Sequence, residues 1–111
     1  MNLTQYGRRG LKDSRAWFPA IHLDRRYDGN ERAALHFAIG LAGEVGEALN
    51  LIKKWHRGDA LLDGQLYLDL GKELADCAIY LADLAAILGY DLDAEIEAKR
   101  AVLIDRWGDP S

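Results

Sequence analysis

Residues Gly40 to Lys54 read GLAGEVGEALNLIKK. The stretch has the spacing of a helix, yet it carries three glycines three residues apart (Gly40, Gly43, Gly46) and two glutamates, Glu44 and Glu47, beside an apolar stripe. Each glycine inside a helix costs about 1 kcal/mol relative to alanine. A buried carboxylate costs more unless a cation or good hydrogen bonds meet it. Something in the folded protein must offset both.

Working outward, residues 31–57 read as one long helix, about 40 Å at 1.5 Å per residue, stopped by Gly58. One stripe runs Leu35, Ala38, Ala42, Val45, Leu49, Ile52; a second runs Ala34, Phe37, Leu41, Glu44, Ala48, Leu51. Two such stripes call for more than one packing neighbour. Residues 65–88 read as a second long helix ending at Gly89, with a main stripe Leu70, Leu74, Cys77, Leu81, Leu84, Leu88 and, beside it, the line Glu73, Asp76, Tyr80, Asp83, Ile87. The short link GDALLDG (58–64) makes the two helices antiparallel neighbours. A last helix starts at Asp91, its N-cap, and runs to about Arg106. The N-terminal part is the least regular: DSRAWFPAIHLDRR suggests a short helix capped by Asp13 or Ser14 and broken at Pro19, then a turn at YDGN with Asp28 or Asn30 capping the long helix.

The expected fold is therefore all-α: a helical bundle with two long antiparallel helices, completed by oligomerisation, because another copy must cover the second stripe. It forms a single domain over 1–111, with a basic N-terminal arm (1–30, including the short helix) and a helical core (31–106). At 111 residues one domain is expected. Residues 1–30 hold six basic and three acidic side chains, leaving eight basic and fifteen acidic ones in the rest of a chain of net charge -4. That balance argues against nonspecific nucleic-acid binding. It fits an acidic metal site with cations brought over it to receive an anion, or more plainly an uneven surface charge. The lone Cys77 rules out an intrachain disulfide and fits a reducing, cytoplasmic setting. The N-terminus lacks the apolar core of a signal peptide, and no run of about 18 apolar residues suggests a membrane span.

Residues three apart share a helix face, so Glu44 with Glu47, and Glu73 with Asp76, form two pairs. If the long helices place them level, four carboxylates converge and raise one another's pKa values. A divalent cation relieves this, and Mg²⁺ prefers such oxygen ligands. The plain alternative is a solvated acidic face. Against it, the i+4 positions of Glu44 and Glu47 hold Ala48 and Leu51 rather than lysine or arginine. The glycines would clear space around the carboxylates, or simply let helices approach closely. Lys54, seven residues from Glu47, shares its phase and is the candidate phosphate contact, whereas Lys53 points about 100° away.

GLAGEVGEALNLIKK followed by LGKELADCAIYLADLAAILGYDL resembles the MazG-like, all-α nucleoside triphosphate pyrophosphohydrolases. Their ExxE, spacer, ExxD signature corresponds here to Glu44/Glu47, 25 intervening residues, and Glu73/Asp76. The likeness reaches from WFP (Trp17 to Pro19) to DRWG, about residues 14–108. It implies cleavage of (d)NTP to (d)NMP and pyrophosphate, with Mg²⁺ as cofactor (Mn²⁺ substituting) held by Glu44, Glu47, Glu73 and Asp76. One of these carboxylates, Glu47 first among them, would also serve as base for the attacking water. The resemblance further implies a nucleoside triphosphate partner, a homo-oligomer (dimer or tetramer), and a base and sugar pocket drawn from Tyr80, Trp17, Phe37 and His36. Relatives carry a Lys-Asn pair near the C-terminus; here Lys99 is followed by Arg100, so Lys99 and Arg106 stand as phosphate candidates. Asp83 reads as a supporting residue or a polar contact at the bundle interface. Two other readings are a phosphoribosyl-ATP pyrophosphohydrolase-like enzyme and a non-enzymatic helical interaction module. A di-iron bundle is set aside because no Glu-x-x-His occurs.

Overall fold

The computed structural model describes residues 1–22 and 30–110. Among these the chain is all-helical, without strands: α1 (Leu3–Trp17), a 3-10 turn (Pro19–His22), α2 (Glu31–His56), α3 (Gly64–Ile87) and α4 (Leu92–Trp107). The YDG of the expected turn, with Asp28, Arg25 and Arg26, lies outside the described residues.

α1 is longer than expected and starts elsewhere. Asn2 accepts the Gln5 N–H at 2.8 Å while the Gln5 side chain accepts the Asn2 N–H at 2.9 Å, a reciprocal cap that satisfies two otherwise orphaned donors. Asp13 and Ser14 fall in its last turns and cap nothing. The helix stops at Trp17 because Phe18, preceding Pro19, is driven out of helical backbone (φ -133°, ψ 61°). Asn30 does hold the N-cap position of α2, but its side chain bonds elsewhere: Nδ2 donates to the Ile87 carbonyl at 3.2 Å. α2 and α3 end as read. Gly58 and Gly89 each take φ +81°. Asp59 N–H reaches the Lys54 carbonyl at 2.9 Å, and Tyr90 N–H the Ala85 carbonyl at 2.9 Å, the 6→1 bond of a glycine-terminated helix. Asp91 caps α4 by accepting the Ala94 N–H at 3.1 Å.

α2 and α3 run antiparallel: Asn30 meets Ile87, Gly40 meets Tyr80, and Glu44 and Glu47 meet Glu73, so one numbering rises as the other falls. α1 lies across α3 at close range. A Cβ on Gly7 would overlap the Ala82 carbonyl oxygen, and one on Gly10 would overlap Asp83 Oδ1. Thr4 fixes the start of α1 to the start of α4. Its hydroxyl lies 2.9 Å from Asp91 Oδ1 and 2.6 Å from Asp93 Oδ2, and its N–H donates to Asp93 Oδ2 at 2.9 Å. The core sits where α1, α2 and α3 meet, built on Leu11, Ala33, Phe37 and Ile87, with Ile21, Tyr80 and Leu84 packed on it.

The stripes are used the other way round from the sequence reading. The second stripe of α2 and the Glu73–Ile87 line of α3 face inward. Much of the leucine-rich stripes faces out (Leu35 is 60% exposed, Leu49 58% and Leu74 55%), although Leu84 packs on the core. α4 contributes no buried residue. With it the radius of gyration reaches 17.1 Å, against about 13 Å for a compact chain of this length. α2 is also long and apolar enough to cross a membrane by length and composition, with a window of mean hydropathy 1.2, contrary to expectation. Glu44 and Glu47 near its middle, if charged, would each oppose insertion by about 2.5–3.5 kcal/mol.

Candidate functional site

Each carboxylate pair is set by helix phase, and the antiparallel register brings the pairs level. Oxygens of Glu44, Glu47 and Glu73 all lie within 4.8 Å of one another. Asp76, one turn beyond Glu73, stands outside this triplet and lines the larger of two hollows that flank it. Three of the four expected carboxylates are therefore gathered, and the fourth is adjacent.

The electrostatics of the triplet are unrelieved. Among the described residues, no lysine or arginine forms an ion pair with it. Glu44 Oε2 and Glu73 Oε2 are buried with no hydrogen-bond donor, and each such oxygen carries an uncompensated desolvation cost. The Glu73 carboxyl is pushed up to about 7, first because it shares a hydrogen bond with Glu44, then by burial and by the charges of Glu47 and Glu44. At neutral pH one proton thus partly stands in for a cation. Burial, then the charges of Glu44, Glu73 and Asp76, also raise the Cys77 thiol above its ordinary value, which keeps it protonated and poorly nucleophilic.

The smaller hollow, about 320 Å³, lies between α2 and α3 and is lined by Glu47, Asn50, Leu51, Asp69, Lys72 and Glu73. The larger, about 820 Å³, lies between α1, α2 and α3, and its walls include Asp76, Tyr80, Trp17, His36 and Phe37. All four base and sugar candidates therefore line one cleft. Phe37 is almost wholly buried in the core, with the His36 ring set against it at 5.5 Å and an interplanar angle of 70°. Trp17 is mostly exposed at the rim. Ser14, which also lines this cleft, has its Oγ 2.9 Å from His22 Nε2; burial, then the charges of Arg15 and His36, lower the pKa of His22.

The phosphate candidates fare differently. Lys54, in the last turn of α2, and Lys99 and Arg106, on α4, are all exposed and line neither hollow. Helix phase places Lys54 on the Glu47 side, but seven residues also carry it about 10.5 Å along the axis. The basic groups that do reach the hollows are Lys72 and Arg9, both missed. Lys72 stands next to Glu73 in GKELAD, and Arg9 belongs to the basic N-terminal arm, which was expected to supply a phosphate contact without a residue being named. The glycines divide as well. A Cβ on Gly40 would overlap the Tyr80 ring, so its absence seats that ring; Gly43 and Gly46 face open space and clear nothing within this chain.

No protein-family model, curated protein or solved structure matches this chain. What the arrangement can do rests on its chemistry. A divalent cation with oxygen ligands near 2.1 Å has those ligands about 3–4.2 Å apart. Three carboxylate oxygens within 4.8 Å, two of the groups with a buried donorless oxygen, fit such an ion with small side-chain adjustments. Glu44, Glu47 and Glu73 would hold it, with Asp76 next to them on the cleft side.

Proposed function

We propose that this protein is a Mg²⁺-dependent nucleotide pyrophosphohydrolase of the MazG-like kind, converting (d)NTP to (d)NMP and pyrophosphate. One observation carries the reading: an unneutralised carboxylate triplet, with buried oxygens lacking donors, opens beside Asp76 into an aromatic-lined cleft of nucleotide size. Mg²⁺ bound there (or Mn²⁺ in its place) supplies Lewis-acid stabilisation of phosphate charge and a water acidic enough to lose its proton near neutral pH.

The chain's own groups do the rest. Tyr80, seated in the space left by Gly40, forms a flat wall for the base. Trp17 closes the rim, and Arg9 and Lys72 supply positive charge on the two sides of the carboxylates. Water oxygen attacks the α-phosphorus, the α–β anhydride bond breaks, and pyrophosphate leaves with the bonding electrons. Glu47, the exposed member of the triplet, takes the water's proton, since a base in contact with solvent can release it again. A second copy of the chain, in a dimer or tetramer, covers the outward leucine stripes of α2 and α3, whose exposure exceeds what a lone chain usually tolerates.

The test is incubation of the purified protein with Mg²⁺ and a panel of canonical NTPs and dNTPs, with products identified by chromatography. Monophosphate and pyrophosphate are expected from the native protein, and at least a hundredfold less, roughly, from Glu47→Gln. Diphosphate and phosphate would indicate a different reaction. No turnover, together with no Mg²⁺-dependent rise in melting temperature, would leave the interaction-module reading in its place.

A further inference from the structure

Asp83 is the buried charged group for which the proposed reaction has no use. It is 7% exposed, and its Oδ1 is buried with no hydrogen-bond donor among the described residues. What buries it is α1. Gly10 has no Cβ, and one placed there would overlap Oδ1, so the helix rests on the carboxyl itself. One turn earlier, Gly7 rests in the same way on the Ala82 carbonyl. The carboxyl is therefore dehydrated only while α1 stays on α3. A dehydrated carboxylate without a donor is costly, and a dehydrated carboxylic acid is much less so. The proton on Asp83 and the seating of α1 are thus linked.

α1 is also a wall of the large cleft, through Tyr6, Arg9, Asp13 and Trp17. We propose that Asp83 is a proton-sensitive latch on that wall: protonated, it lets α1 close against α3; ionised, it loosens α1 and opens the cleft. The latch acts whatever the cleft binds. Burial, then the charge of Asp13, lifts the Asp83 carboxyl from its ordinary 3.8 up to about 6. A closed state that holds the proton more tightly is favoured fully below about pH 3.8 and loses that advantage as pH rises through about 6. The other groups around the seam are Asp13 and the exposed Arg9 on α1, His36 on α2, Asp76 and Tyr80 on α3, and His22, bonded to Ser14 of α1. Burial lowers the pKa of His22, so its tie to α1 weakens as pH falls. The same sense holds at the start of α1: Ala94 N–H and then Thr4 hold Asp91, and Thr4 holds Asp93, below the ordinary carboxylate range. Of these shifted groups, Asp83 alone loosens α1 as pH rises.

The experiment is amide hydrogen exchange of the full-length protein near pH 5 and pH 7.5, corrected for the intrinsic pH dependence of exchange, with α1 read against α2 and the whole repeated with Asp83→Asn. Asparagine is equal in volume and uncharged at both pH values. From pH 5 to 7.5 the opening of α1 should increase roughly tenfold more in the native protein than in the variant, and α2 should not share the increase. The same pH ratio in both proteins, or a change spread equally over α1 and α2, would overturn the latch. A second measurement needs no Asp83 variant and decides the matter even if Asp83→Asn misfolds: a carbon-13 NMR titration of the Asp83 carboxyl should show a midpoint near 6, moving down in Asp13→Asn. A midpoint near the ordinary 3.8 would show that α1 does not dehydrate the group, and the proposal would fall. Neither measurement involves nucleotide or metal, so failure of the pyrophosphohydrolase reading would leave the latch standing, and the reverse.

Discussion

The two ends of the α2–α3 pair are built on opposite terms. At the end where α1 joins, apolar side chains interlock: Leu11, Ala33, Phe37 and Ile87 are buried together, and Gly7 and Gly10 let two backbones nearly touch. Toward the 57–63 link, the inward lines carry Glu44 and Glu73 instead, with the exposed Glu47 beside them, and Leu49 and Leu74 look out to solvent. One end stabilises the fold; the other holds like charges together and depends on it. Local cost is concentrated where chemistry is proposed.

The contrast can be broken most severely at the packed end. Phe37→Ala should cost about 3–5 kcal/mol, since the ring is almost fully buried and its space cannot refill; a denaturant melt retaining the native midpoint would show that the core lies elsewhere. Gly7→Val should cost less, about 1–3 kcal/mol, because its Cβ would meet the Ala82 carbonyl and push α1 off α3. Hydrogen exchange should then rise in α1 ahead of α2. The smallest effect belongs to the charged end. Glu73 has a folded pKa near 7, above its ordinary 4.5, so the folded state binds the proton more tightly than the unfolded one. Its contribution is fully present below about pH 4.5 and is lost as pH rises through about 7. Melting temperature should therefore fall slightly over that window, and Mg²⁺ should flatten the fall by replacing the proton. A native pH profile identical to that of Glu73→Gln would show the triplet to be solvated and uncoupled.

Much of this was legible in the sequence, and the exceptions have physical causes. The ends at Gly58 and Gly89 and the cap at Asp91 could be read because each is settled within one helical turn. α1 was misread because its cap, Asn2 with Gln5, sits at the start of a segment whose periodicity is blurred by Gly7, Gly10 and arginines. Periodicity groups Leu35 with Leu49 and Glu44 with Leu51, but it does not say which group faces the neighbouring helix. That choice fell to the small-residue and carboxylate line, and the leucines were left outside. Spacing singled out the two carboxylate pairs, three of whose members converge, whereas Tyr80, Trp17, Phe37 and His36, which share one cleft, were named only through the family resemblance. Lys54, Lys99 and Arg106 were not brought in, because shared phase on one helix says nothing of axial distance or of where α4 goes. Asp83 reads as a supporting residue or a polar contact at the bundle interface; that its partner is Gly10 of α1 is not legible, because nothing in the sequence says that α1 packs there.

The bonds from Thr4 to Asp93 join residues 89 apart in the chain, and α1 also rests on Ala82 and Asp83. None of its permanent neighbours on α3 and α4 exists when α1 leaves the ribosome. At roughly 5–20 residues per second, the first helix waits about 4–18 s for them. Through that interval its glycine-lined face stays open, so the N-terminal segment is the last part of the fold to be secured although it is the first to be made.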